Sequence, residues 1–265
     1  MAPRPRNVAK AEPGSTEGSD QYRPPILRVF ASPRGPHDSM SSPAVALART
    51  LARTLACALF AAAALSTSPT AAAQDVRAGE RNAAMCIGCH GIPGYQSSFP
   101  EVHRVPMISG QSAKYIVAAL QAYKKGDRRH PTMRAIAQGL TDQEMADLAA
   151  FYEQHAGGIT LTGTAPAAPA PVADLLKRAN CASCHGENYS KSIDPSYPKI
   201  AGQHADYLFV ALKSYRIGGA DVIGRANPIM GAIAKQYTNA ELKLIANWLG
   251  TLPGEMRVVP QSSFR

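Results

Sequence analysis

The sequence predicts an all-α protein made of one small domain written twice. Three observations carry that expectation. A unit of about 90 residues recurs with its chemistry-bearing positions in register. Apolar residues inside each copy follow the helical period, and no alternating strand pattern competes with it. The last helix of each copy opens on the same capping signature, Thr141 with Glu144 and Thr238 with Glu241.

Upstream of the repeat lies a leader. Arg49 and Arg53 precede an apolar run from Leu55 to Leu65, and small residues follow up to Ala73. This is the layout of a secretory signal peptide, with cleavage expected after Ala73. The run falls short of the ~18 residues of a spanning helix, and the arginines are not adjacent, so the twin-arginine route is not indicated. Residues 1–39 are rich in Pro, Ser, Gly and Arg without period and read as a misassigned extension. Met40 is the expected start and 40–73 the signal peptide. Cys57 sits inside the apolar run and is expected to leave with it. The net charge of +9 is partly a leader property, since the first 73 residues hold eight of 28 basic and four of 19 acidic side chains. No basic stripe interleaved with aromatics remains, which argues against nucleic acid as a partner.

In the remainder, Cys86-Ile-Gly-Cys89-His90 returns 95 residues later as Cys181-Ala-Ser-Cys184-His185. The stretch from Val105 to Gln111 returns 92 residues later from Tyr197 to Gln203, carrying Tyr115 and Tyr123 onto Tyr207 and Tyr215. Pro131-Thr-Met133 returns 97 residues later as Pro228-Ile-Met230. Between the copies the Gly/Thr/Ala/Pro tract from about residue 156 to 173 lacks amphipathic period and reads as an extended linker. The expected domains are 74–157 and 174–265, joined by 158–173. Helices are expected over 75–86 and 174–184, over 111–125 and 203–217, and behind the two capping threonines.

A Cys-x-x-Cys-His run is the attachment signature of c-type haem. Two thiols one helical turn apart reach the two vinyl groups on one porphyrin edge, and the next residue turns its imidazole to the iron. A zinc ribbon would pool the four cysteines and leave both histidines idle. A thioredoxin-type pair wants a βαβ context that is missing. Two covalent haems, on Cys86 and Cys89 and on Cys181 and Cys184, with His90 and His185 on the irons, account for the whole pattern. They also supply bulk to cores that hold few aromatics.

Methionine opposite the histidine raises the reduction potential, whereas an open position permits ligand chemistry. Met133 and Met230 are the expected sixth ligands: each follows a proline by two residues and precedes its capping threonine by eight. Met85, Met107 and Met145 have no paired counterpart. His103 and His130 are competitors in copy one without histidine partners in copy two, while His155 and His204 read as surface or helix-end residues. Pro106 and Pro198 are candidates to offer carbonyls to the proximal imidazoles. The paired tyrosines read as core, with an inter-domain or haem-carboxylate hydrogen bond as the alternative. Lys124–Arg129 reads as a solvated turn, with partner docking the alternative.

These motifs, with the PxxxGQ element of Pro106–Gln111 and Pro198–Gln203 and the LTDQEMADLAAFY-type last helix, resemble the dihaem cytochrome c4 family of tandem class I cytochrome c domains. The resemblance spans 74–265. It implies two haems facing across an interface, a periplasmic location often with loose membrane association, and single-electron transfer between redox partners towards a terminal oxidase, with no catalytic residues. The cytochrome subunit of a flavocytochrome c sulfide dehydrogenase has similar architecture and would differ by a permanent flavoprotein partner. A dihaem peroxidase would need one iron without its sixth ligand. The chain departs from the family in the longer Ile217–Asn227 loop and in the Ala/Pro linker, which is expected to loosen the inter-domain contact.

Overall fold

Each copy folds around a final helix that its capping box starts. A computed structural model describes residues 73–219 and 222–261; the expected extension 1–39, and the signal peptide apart from Ala73, lie outside them. The first copy comprises α1 (Val76–Asn82), α2 (Ala84–His90), β1 (Gln96–Ser97), β2 (His103–Arg104), α3 (Ala113–Lys125), β3 (Arg128–Arg129), α4 (Pro131–Gln138) and α5 (Asp142–Gln154). The second comprises α6 (Ala170–Ala179), α7 (Ala182–His185), α8 (Ala205–Ile217), β4 (Gly224–Arg225), α9 (Pro228–Ala234) and α10 (Asn239–Thr251).

In α5 the Thr141 side chain accepts from Glu144 N–H while the Glu144 carboxylate accepts from Thr141 N–H, and Thr238 and Glu241 repeat the arrangement in α10. Behind the caps, Leu148, Phe151 and Tyr152 of α5 pack with Ile116 and Ile87. Leu242, Ile245 and Leu249 of α10 pack with Leu175, Leu176 and Leu208. Burial of one face of each last helix against the first and third helices of its own copy is the core of each domain.

The expected first helices are broken. In copy one α1 ends at Asn82 and α2 carries the whole CxxCH motif; in copy two Asn180, at φ 48°, stops α6 before α7. Asparagine tolerates this left-handed geometry better than most residues. Helix α6 starts inside the tract expected to be linker. Pro171 falls in its first turn, where the missing N–H has no intrahelical acceptor to lose. The short helices around Met133 and Met230 were not anticipated, nor were the strands, which at two residues each leave no alternation to read.

The described residues of both repeats lie within one compact unit, and its interface is closed rather than loose. Strand β3 of the first copy pairs antiparallel with β4 of the second, Arg128 opposite Arg225, and Ala226 N–H donates to Asp127 O at 2.7 Å. The turn expected to be solvated therefore buries Arg128. Arg128 donates to Tyr115 Oη at 3.1 Å and across the interface to Tyr207 Oη at 2.7 Å; Arg225 donates to the same Tyr207 oxygen at 3.1 Å. Tyr207 thus supplies the inter-domain bond that is the alternative to simple packing, whereas Tyr115 bonds within its own domain. Arg104 pairs with Asp206 at 3.1 Å, and Lys213 with Glu101. After α10 the chain returns to the first copy, where Arg257 N–H donates to Ser109 O at 3.0 Å. Buried Glu255 pairs with Lys199 at 2.7 Å and accepts from Leu161 N–H at 2.8 Å, tying the linker to this tail.

Removing the Thr238 cap by Thr238→Ala should cost about 1 kcal/mol at neutral pH. Its hydrogen bonds to Thr238 hold the Glu241 carboxyl below its ordinary range. A carboxyl whose folded pKa is depressed stabilises above its unfolded pKa, so that part should fade as pH falls through the carboxylate range; denaturant melts of both proteins at pH 7 and below pH 4 would measure it. A double-mutant cycle of Arg128→Leu and Tyr207→Phe should give a coupling of about 1–2 kcal/mol in the same melts.

Candidate functional site

The two CxxCH motifs lie on helices that end at the histidine. In α2, Cys86 and Cys89 are three residues apart and so share a helix face; α7 places Cys184 and His185 in the same relation to Cys181 at its cap. None of these four cysteines is paired in a disulfide. Burial raises the pKa of Cys86 and of Cys181, so both are neutral thiols at ordinary pH. Among the described residues no group of three or more His, Cys, Asp and Glu is placed to hold a metal ion, so the four thiols do not form a pooled zinc site.

Each histidine is oriented by one carbonyl. His90 Nδ1 lies 2.8 Å from Pro106 O, and His185 Nδ1 lies 3.0 Å from Pro198 O, the two prolines marked in the repeat. The carbonyl can only accept, so Nδ1 carries the proton and Nε2 keeps its lone pair free as a ligand. Burial lowers the pKa of both imidazoles, although the carbonyl bond opposes it. Both rings are therefore neutral, the form that binds a metal.

The methionines sit in the first turns of matched helices. Met133 follows Pro131 in α4, whose N-cap is His130; Met230 follows Pro228 in α9, whose N-cap is Asn227. In each case the cap side chain accepts from the methionine's own N–H, at 3.5 Å in the first and 2.9 Å in the second. His130 thus corresponds to Asn227 and is occupied as a cap. His103 is buried and its Nδ1 donates to Glu101 O at 2.8 Å. His155 and His204 stand at helix ends, as expected.

One cavity of about 540 Å³ is lined by both CxxCH motifs, by Met133 and Met230, and by Tyr115, Arg128, Tyr207 and Arg225 between them. Burial alone would raise the Tyr207 phenol, but the two guanidinium groups outweigh it and pull it to about 8. Arg128 Nε is buried without a hydrogen-bond partner. A haem fits these residues: paired thiols and a neutral imidazole on one wall, a thioether within the same cavity, and cationic groups at the interface for the acidic edge of a porphyrin. The sequence did not single out Arg128 or Arg225. The signal was an arginine between the repeated tyrosine and the repeated methionine, obscured by a second arginine in each copy, Arg129 and Arg216, and by the longer loop in the second copy.

Comparison with known proteins agrees. The cytochrome c family matches residues 76–155 and again 170–253. Cytochrome c4 of Azotobacter vinelandii is 29% identical over 195 residues, covering 67% of this chain and 89% of its own. The thiosulfate dehydrogenase electron acceptor of Stutzerimonas stutzeri (strain A1501) is 30% identical over 208 residues, covering 73% and 94%. The crystal structure of reduced recombinant cytochrome c4 from Pseudomonas stutzeri superposes with a TM-score of 0.52 at 25% identity, covering 68% of this chain and all of that one. Two family matches in tandem, each around its own CxxCH motif, place the chain in the cytochrome c family as a dihaem electron carrier of the cytochrome c4 type with two covalent haem c groups.

Proposed function

We propose that this protein shuttles single electrons in the periplasm, with His90 and Met133 holding one haem iron and His185 and Met230 the other, each haem being attached through the cysteine pair of its own domain. The observation that carries this reading is the matched pair of first-turn methionines, each capped through its own N–H and each lining the cavity that its histidine lines. When bound, haem supplies a one-electron ferrous/ferric couple. The chain's part is to hold that iron between a neutral imidazole and a thioether, which favours the reduced state and admits no substrate. The same pairing in both domains disfavours a peroxidase, which needs one open coordination position.

The electron partner is a membrane respiratory complex leading to a terminal oxidase. A second reading is favoured by the likeness to a thiosulfate dehydrogenase electron acceptor: the donor is then an enzyme of sulfur-compound oxidation. Periplasmic placement rests on the leader and on the cytochrome c4 likeness. Among the described residues no helix is long and apolar enough to cross a membrane.

Met133→Ala should lower the potential of the first haem and convert its ferric form to a spectrum without thioether ligation, leaving the second haem as it was; Met230→Ala should do the reverse. Optical and EPR redox titrations read both, and a variant that perturbs neither iron refutes the ligand assignment. Stopped-flow mixing of the reduced protein with a terminal oxidase, and of the oxidised protein with thiosulfate dehydrogenase and thiosulfate, decides between the partners. Amino-terminal sequencing of the exported protein should begin at Gln74.

A further inference from the structure

Two hydrogen-bonded chains cross the interface in opposite directions. In one, His90 Nδ1 donates to Pro106 O at 2.8 Å, and the N–H of that same peptide unit, on Met107, donates to Oε1 of Gln203 in the other domain at 3.0 Å. In the other, His185 Nδ1 donates to Pro198 O at 3.0 Å, and Lys199 N–H donates to Oε1 of Gln111 at 2.9 Å. Each amide then closes a two-point pairing. Gln203 Nε2 donates to Met107 O at 2.9 Å, and Gln111 Nε2 to Lys199 O at 2.9 Å. Both Nε2 groups also approach a single atom, Met256 Sδ, at 3.5 and 3.3 Å. Gln111 and Gln203 are each 4% exposed and Met256 1%, so the arrangement is dry.

The glutamines reach across because each follows a glycine at positive φ, Gly110 at 87° and Gly202 at 71°. A side chain at either position would meet backbone of the returning tail or of the turn after α10: a Cβ on Gly110 would lie 2.5 Å from Glu255 O, and one on Gly202 2.9 Å from Leu252 O. The GQ pair of the repeat is thus built to deliver an amide to the other domain.

A peptide's N–H and C=O are conjugated. When Met107 N–H donates to Gln203, charge on Pro106 O increases and that oxygen draws harder on the His90 proton. Chained hydrogen bonds strengthen one another in this way in a low-dielectric interior. An imidazole with a more strongly held Nδ1–H is a better donor to iron and favours the ferric state. We propose that Gln203 and Gln111 are positioning residues that act in trans, each tuning the proximal histidine of the haem in the other domain through the Pro106–Met107 and Pro198–Lys199 peptide units. The proposal rests on His90 and His185 being iron ligands. It makes the potential of each haem depend on the docking of the opposite domain.

The test is a redox titration of the full-length holoprotein with each haem assigned by nuclear Overhauser contacts to residues of its own domain. Gln203→Met, which keeps the volume and removes the amide, should raise the potential of the first haem by about tenfold in its one-electron equilibrium, about 59 mV. The second haem should move by less than half as much. Gln111→Met should do the converse, and the Nδ1–H proton resonance of the histidine in trans should move with the potential. Gln203→Asn and Gln111→Asn, which withdraw the amide by one methylene, should give the same signs and replace any methionine variant that does not accumulate. A shift confined to the haem in the mutated residue's own domain, or equal shifts in both, overturns the proposal. A wild-type protein lacking hyperfine-shifted histidine Nδ1–H signals would instead refute the ligand reading, which keeps the two failures apart.

Discussion

The hydrogen bond from each histidine Nδ1 to a proline carbonyl is the constraint on which the rest of the molecule turns. It fixes the tautomer, leaves the Nε2 lone pair free, and requires the loop after CxxCH to return to the helix that bears it. The two loops differ in length: Pro106 follows His90 by 16 positions and Pro198 follows His185 by 13. They nevertheless bring the carbonyl to within 0.2 Å of the same distance. The intervening residues are free to vary; the end point is not.

That loop also builds the interface. Its proline accepts from the imidazole, its next residue pairs with a glutamine of the other domain, and its own glycine and glutamine perform the reciprocal pairing. Few side chains are therefore needed to dock two small domains. What remains is charge: buried Arg128 and half-buried Arg225 hold Tyr207 between them, and Arg128 keeps an unpartnered Nε. Such a cluster is costly as a purely structural element, because a buried donor without an acceptor forfeits its hydration. It is intelligible beside the carboxylates of a porphyrin.

Much of the site was legible in the sequence because haem attachment is a local demand. Two cysteines and a histidine in five residues must be contiguous, so their spacing survives in the linear text. The capping boxes are equally local, each satisfied within four residues. The methionines stand out as candidates only because the repeat occurs twice; a single proline followed by methionine has no such meaning. The strands, the burial of Arg128 and the returning tail with Glu255 and Met256 were not legible. Apart from β1 with β2, each depends on at least one partner more than 50 residues distant, and nothing at either end marks the pairing. Prolines misled in the opposite direction, since Pro171 reads as linker and serves as the first turn of α6.

The sequence by itself determined that the protein is two helical copies with a thioether-forming motif in each, because helical period, capping and CxxCH spacing are short-range properties of a chain. Only the tertiary structure decided how the copies address one another: Gln203 to Met107, Gln111 to Lys199, Arg128 and Arg225 to one phenol. The reason is geometric. A hydrogen bond between domains needs two groups brought within 3 Å by folds that are already complete, and no residue in the linear order records which distant peptide it will face.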